Sequence, residues 1–331
     1  MTTDRVLVLS NPKAGPRSSD GRTHRLVVLL REAGLHVELF DDLAMATRAA
    51  DELHAAGQLR ALVGAGGDGT LAELVNRTVP GVPITALPSG NENLLARYLG
   101  IGASPEEVSR TIVGGTLRRL DAGVASGRIF LLMASCGFDA DVVRRLHSRR
   151  RGHVSSRSYV EPILESLWNY RYPELRVRWD PTPAATYRDP TSTRVEVGSD
   201  SGTKTRPGTL WAPPPRPRIE LVQRASLRWL FAFNLPCYGG GLQVAPQAVG
   251  TDGLLDLCGF QRGSIWNTLR YSAAVLQRRH STLADCLVCR AGRLHVDSDA
   301  EVPYQLDGDP AGVLPVDIET LPGRLTMLVP S

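Results

Sequence analysis

The sequence predicts an α/β N-terminal domain with a parallel sheet, followed by a β-rich C-terminal domain. Three observations carry that prediction. Short apolar runs alternate with helically spaced stretches through the first third of the chain; the glycine turn Gly66-Gly67-Asp68-Gly69-Thr70 joins an apolar run to an amphipathic one; and after about Leu120 strand-like segments outnumber helical ones. Strands alternating with helices imply a parallel sheet covered on both faces, and ligands of such sheets gather beyond the carboxyl ends of the strands.

The elements follow in order. Arg5 to Leu9 reads as an apolar strand ending at Ser10-Asn11, Arg22 to Ala33 as a helix closed by Gly34, and Leu35 to Phe40 as a second strand. Ala44 to Ala56 is a helix ended by Gly57, Arg60 to Ala65 feeds the glycine turn, and Ile84 to Leu87 enters the turn Pro88-Ser89-Gly90-Asn91-Glu92-Asn93. Ser104-Pro105-Glu106-Glu107 opens one further helix, in which Ser104 caps, Pro105 takes the first helical position and Glu107 reaches back. Beyond it, Ile129 to Ser135, Arg176 to Asp180, Arg218 to Val222, Leu227 to Asn234, Leu254 to Phe260, Gly292 to Val296 and Arg324 to Val329 read as strands. The helical pieces among them are Ala140 to Arg150, Tyr159 to Tyr172 and Ser264 to Arg279. The domains are placed at 1–124 and 125–319, with a Pro-, Ser- and Thr-rich loop at 181–217 that cannot bury much surface.

The glycine turn has the chemistry of a phosphate site. Gly66, Gly67 and Gly69 lack Cβ atoms, can take positive φ, and let a polyphosphate approach main-chain N–H groups at a helix N-terminus. Thr70 and Glu73 have the spacing of a capping box, which sets the expected start of that helix. Asp68 would repel phosphate by itself, so its place in the turn points to Mg²⁺ binding or to proton abstraction from a nucleophile. An ordinary tight turn with a solvated Asp is the plainer alternative. Asn11 at the end of the first strand, Lys13 beside it, and Gly90, Asn91 and Asn93 bring amides and a charge to the same sheet edge. Each Asn taken singly is a turn former.

Together with Asn11-Pro12-Lys13-Ala14-Gly15 and the run from Pro88 through Asn93-Leu94-Leu95-Ala96, the glycine turn resembles the diacylglycerol kinase catalytic-domain family, which includes bacterial lipid kinases, sphingosine kinases and ceramide kinases. Gly137-Phe138-Asp139-Ala140, Gly239-Gly240-Gly241 with Pro246, Asp252-Gly253-Leu254-Leu255-Asp256 and Asp307-Gly308-Asp309 follow in the order that family uses. The resemblance implies a β-sandwich for the second domain, with the segment at about 320–331 returning to the first. It implies ATP and Mg²⁺ as cofactors and transfer of the γ-phosphoryl group to a hydroxyl of diacylglycerol, a sphingoid base or a related lipid, held between the domains. It also implies Asp309 as the base that deprotonates the acceptor, with Asp68 as rival, Asp252 as ligand of a structural Mg²⁺ with Asp256 assisting through water, and Asp139 in a carboxylate network. Asp307-Gly308 is equally a hairpin signal, Asp252-Gly253 a turn before a strand, and Asp139 the cap of a helix. The chain departs from bacterial members at Asn91, commonly Thr, at Leu94, commonly Asp, and at Asp309, whose counterpart is the longer Glu. Its Asn93-Leu94-Leu95-Ala96 is closer to the Asn-x-Leu-Ala of sphingosine kinases.

Composition narrows the remaining classes. A chain of 331 residues with 42% hydrophobic and 22% charged content is that of a soluble globular protein long enough for two domains. A formal charge of +4, and no aromatics interleaved with Arg144, Arg145, Arg149, Arg150, Arg151 and Arg157, argue against nucleic acid as a partner. Those arginines are a solvated helix face or an attraction for anionic lipid headgroups. No signal-peptide core and no bilayer-spanning run is read, and five scattered cysteines suit a reducing cytoplasm. The expectation is a cytoplasmic enzyme, transiently membrane-associated, that collects its lipid substrate at the membrane surface, with a homodimer left open. Two alternatives stand beside it. One is an NAD kinase, which shares the glycine turn but follows it with a different Asn turn; the other is a nucleotide- or lipid-binding protein that has lost catalysis.

Overall fold

A computed structural model describes residues 3–10, 18–149, 156–181 and 223–331, in two compact units. One holds the described residues up to Leu120 together with Gly323–Ser331; the other holds those between Asp121 and Pro322.

In the first unit β1 (Arg5–Ser10), β2 (His36–Phe40), β3 (Leu59–Gly66) and β4 (Pro83–Pro88) alternate with α1 (Ser18–Glu32), α2 (Leu43–Ala55), α3 (Asp68–Arg77), α4 (Leu94–Tyr98) and α5 (Pro105–Gly114). The strands are parallel, in the order β2-β1-β3-β4. β1, β3 and β4 are continuous apolar runs rather than alternating ones, and Val6, Leu7, Val8, Leu62, Val63 and Ile84 are buried, as a sheet covered on both faces requires. Helix ends follow local chemistry. Asp42 accepts the Met45 N–H at 2.8 Å to open α2. The Ser104/Glu107 capping box is complete at α5, with Ser104 N–H donating to Glu107 Oε2 at 3.0 Å and Glu107 N–H to Ser104 Oγ at 3.3 Å.

β5 (Thr116–Ala125) begins in the first unit and ends in the second, where it pairs with β6 (Arg128–Phe130); then come β7 (Met133–Gly137), α6 (Phe138–Ser148), α7 (Val160–Asn169), β8 (Leu175–Asp180), β9 (Gln223–Leu227) and β10 (Trp229–Phe233). The second unit ends with β11 (Leu255–Phe260), α8 (Ile265–Leu276), β12 (Cys286–Ala291), β13 (Arg293–Asp297), β14 (Pro303–Leu306), β15 (Asp309–Val313) and β16 (Val316–Val329). One antiparallel sheet runs β12-β11-β10-β7-β14-β15, and in a second β13 lies between β8 and the first part of β16. Alternate residues of both sheets, among them Val177 and Trp179, Leu230 and Ala232, Leu294 and Val296, share one core, which is the packing of a β-sandwich. The last part of β16 belongs to the first unit, where Thr326 and Met327 pair in parallel with Pro83 and Ile84. There Arg324 is 2% exposed and donates to the carbonyls of Val75 and Thr78 at 2.5 and 2.6 Å.

Several boundaries differ from expectation. The strand read over Ile129 to Ser135 is two strands, broken at Leu131 and Leu132, whose N–H groups bond the Asp307 carboxylate together with that of Met133, the first residue of β7. Leu227 to Asn234 likewise divides into β9 and β10, and β12 stands where no strand was read. α1 begins at Ser18 rather than Arg22, and α6 at Phe138 rather than Ala140. The strand at 218–222 lies outside the described residues, as does the loop at 181–217 beyond Pro181.

Candidate active site

β3 and β4 end side by side, with Gly66 opposite Pro88, so the turns that follow them leave one edge of the sheet. The two turns touch through their main chains. A Cβ on Gly90 would lie 2.7 Å from Gly67 Cα, and one on Gly66 would lie 2.1 Å from Thr70 Oγ1. Ser89 N–H donates to Gly66 O at 3.0 Å. Gly66, Gly67 and Gly69 do not take positive φ, which corrects the expectation of a left-handed turn there; close approach is what Gly66, Gly67 and Gly90 serve. Gly69 differs, since nothing lies within 4 Å of its Cβ position.

The capping box expected at Thr70 and Glu73 is not formed. α3 starts three residues earlier, at Asp68, with Gly67 as its N-cap and no side-chain cap. Thr70 and Glu73 are inside the helix, where Thr70 N–H bonds Gly67 O at 3.0 Å and Glu73 pairs with Arg77 at 2.5 Å, one turn on. A helix start without a side-chain acceptor, bordered by glycines, presents donors and positive dipole to an anion.

Asp68 fastens one turn to the other. Its Oδ2 accepts Leu94 N–H and its Oδ1 accepts Leu95 N–H, each at 2.9 Å, so the carboxylate caps α4. Burial, the largest influence, raises its pKa above the ordinary 3.8, while the Leu95 and Leu94 N–H groups oppose the shift. Each oxygen thus spends a lone pair on main chain, and positioning is the role this geometry supports for Asp68. Asn93 sits at φ 48° and closes its turn on itself, with Oδ1 accepting Gly90 N–H at 3.0 Å and Nδ2 donating to Gly90 O at 2.8 Å. Asn91 is exposed; Asn11 and Lys13 lie outside the described residues.

In the second unit Asp307 and Gly308, with φ of 52° and 86°, form a two-residue turn between β14 and β15. Left-handed conformation at both positions is what a tight hairpin matched to strand twist requires. The Asp307 carboxylate, which sequence reasoning read only as a turn former, accepts the N–H groups of Leu131, Leu132 and Met133 at 2.6, 2.8 and 3.0 Å. Asp309 opens β15 with its side chain 40% exposed, 3.2 Å from Arg128 and 3.7 Å from His147 Nε2. A partly exposed carboxylate beside an imidazole can take a proton from an alcohol and pass it on.

The three carboxylates expected to serve Mg²⁺ have other partners. Asp252 and Asp256 converge on Arg290, at 3.4 and 3.3 Å. Asp139 lies within the first turn of α6, not at its cap, and accepts Ser135 Oγ at 2.6 Å, Gln305 Nε2 at 3.2 Å and the Tyr238 hydroxyl. Burial raises its pKa, partly offset by those three donors. Among the described residues no group of three or more His, Cys, Asp or Glu side chains is arranged to hold a metal ion, so the donor set does not fit a resident cation caged by protein. Sequence reasoning missed Ser135, Tyr238 and Gln305; the single local cue is that Tyr238 immediately precedes Gly239-Gly240-Gly241.

Residues 5–125 match the model described as the diacylglycerol kinase catalytic domain, and residues 133–329 match the YegS C-terminal NAD kinase beta sandwich-like domain. A diacylglycerol kinase of Mycobacterium tuberculosis is 26% identical over 335 residues, covering 98% of this chain and 95% of the relative. A diacylglycerol kinase of Bacillus subtilis is 23% identical, covering 98% and 96%. The crystal structure of a diacylglycerol kinase from Bacillus anthracis shares the fold with a TM-score of 0.60 at 18% identity, covering 98% of this chain and 97% of that one.

Proposed function

Because this chain belongs to the family that joins a diacylglycerol kinase catalytic domain to a YegS-type β-sandwich domain, we propose that it is an ATP- and Mg²⁺-dependent lipid kinase acting on a hydroxyl of diacylglycerol or of a related lipid such as a sphingoid base. The observation that carries this reading is the main-chain contact between Gly67 and Gly90, which sets two turns and an uncapped helix start at one sheet edge, the setting for a nucleotide's phosphates. Mg²⁺ enters as the counterion of the nucleotide substrate. The α3 N-terminus would hold the phosphates, and Asp68 would keep the second turn in place. Asp309 would accept the proton of the attacking hydroxyl, with His147 at 3.7 Å as its neighbour. The transfer forms a bond between the lipid oxygen and the γ-phosphorus and breaks the β–γ bridge, releasing ADP.

The test is purified protein with radiolabelled ATP and a panel of diacylglycerol, sphingoid base and NAD. Label in a lipid supports the reading and its position identifies the acceptor. Label in NADP would replace the reading with an NAD kinase, and label released only as free phosphate would overturn it.

A further inference from the structure

α7 carries apolar side chains on its outward side as well as its inward one. Inward, Pro162 is buried, Leu167 packs against the core, Ser166 Oγ donates to Asp141 at 2.8 Å and Glu165 pairs with Arg145 at 2.7 Å, while the exposed Glu161 pairs with Arg149 at 2.8 Å. Its outward side carries Val160, Ile163, Leu164 and Trp168, exposed by 56, 39, 52 and 76%. At 100° per residue, positions 160, 163, 164 and 168 fall on one helix face. α8 packs near it in the same unit and repeats the outward apolar face. Thr268, Tyr271 and Val275 face inward, while Trp266, Leu269 and Leu276 face out, exposed by 80, 46 and 69%.

Two neighbouring helices that turn tryptophans and branched side chains outward, after their inward faces are already packed, are arranged to meet an apolar medium. Two tryptophans at the rim suit the headgroup boundary, where the ring is apolar and the indole N–H finds a polar partner. The charge is complementary as well. Residues 262–284 hold Arg262, Arg270, Arg278 and Arg279 and no acidic side chain, and all four arginines are exposed. Asp285, just beyond, pairs with Arg262 and Arg270. Among the described residues no helix is long and apolar enough to cross a membrane.

We propose that the outward faces of α7 and α8 form the surface on which this protein docks to a bilayer bearing anionic headgroups. The choice of a bilayer rests on the lipid-kinase reading; the surface itself does not. Docking places the side chains of Trp168, Leu164, Trp266 and Leu269 at the acyl boundary, with Arg278 and Arg279 against the phosphates.

Sedimentation of the full chain with phosphatidylcholine vesicles, with and without phosphatidylglycerol, tests this. Wild type binds the anionic vesicles with a blue shift of tryptophan emission. The W168A/W266A variant binds about tenfold or more weakly, W168F/W266F recovers much of the loss, and R278A/R279A loses the phosphatidylglycerol dependence. Unchanged binding by W168A/W266A overturns the proposal, as does a wild-type dimer in light scattering that W168A/W266A converts to monomer, which would assign the face to a second copy. Turnover of a short-chain, water-dispersed diacylglycerol separates the two readings. Intact turnover without tryptophan-dependent vesicle binding removes the docking surface alone, and vesicle binding without turnover of any lipid removes the kinase alone.

Discussion

The carboxylate of Asp68 and the main chain of Leu94 and Leu95 are joined by two hydrogen bonds of 2.9 Å, so the residue at the centre of the glycine turn acts as the N-terminal clamp of the helix after the next strand. Asp68→Asn keeps one acceptor and sets an amide N–H against the other donor. The expected cost is about 1–3 kcal/mol of stability, with weaker ATP binding, measured by urea unfolding and calorimetric titration. Loss of turnover with unchanged stability and unchanged ATP affinity would instead make Asp68 a chemical participant.

The glycines of the turn separate by substitution. Gly66→Ala drives a methyl into Thr70 Oγ1 and is expected to destabilise the first unit by about 1–3 kcal/mol. Gly69→Ala meets open space inside α3 and should leave stability unchanged or raise it by less than about 1 kcal/mol. If Gly69→Ala still abolishes turnover, the added methyl reports the position of the phosphates; thermal unfolding beside an activity assay decides.

Asp307 and Asp309 flank one glycine and should fail in opposite ways. Asp307→Ala strands three N–H groups and is expected to cost about 3 kcal/mol or more in urea unfolding. Asp309→Asn loses a half-exposed pair with Arg128, costs less than about 1 kcal/mol, and is expected to lower kcat far more than KM. Asp309→Glu lengthens the carboxylate by one methylene; a large activation by it would point to a chain whose own catalysis has lapsed.

Asp139 gives a pH dependence with a defined sign. Its folded pKa is raised by burial, so the native state retains a proton that the unfolded chain releases near 3.8. Its contribution is complete below that value and is lost as pH rises through the folded pKa. Asp139→Asn cannot ionise, so the difference in unfolding free energy between variant and wild type should grow in the variant's favour from pH about 4 upward. A pH-independent difference would show that Ser135, Tyr238 and Gln305 hold the ionised form.

Local signals were legible in the sequence and distant partnerships were not. The Ser104/Glu107 box could be read because donor and acceptor are three residues apart. The identical spacing at Thr70 and Glu73 misled, because the helix there begins under Asp68 and places both residues inside its first turns. The apolar runs of β1, β3 and β4 announced a doubly covered sheet. The break at Leu131 and Leu132 was invisible, since the carboxylate that accepts their N–H groups is on a hairpin late in the chain. Asp252 and Asp256 have the chemistry of oxygen donors for a cation, and their partner Arg290 lies on a strand whose weak alternation gives no local signal.

β16 has a consequence for how the molecule is made. The partner of Pro83 and Ile84 is synthesised more than two hundred residues after them, at Thr326 and Met327, so the parallel sheet keeps an open edge until that segment is made. The first unit can therefore reach its finished form only after Thr326 and Met327 have left the ribosome, however early its other strands emerge.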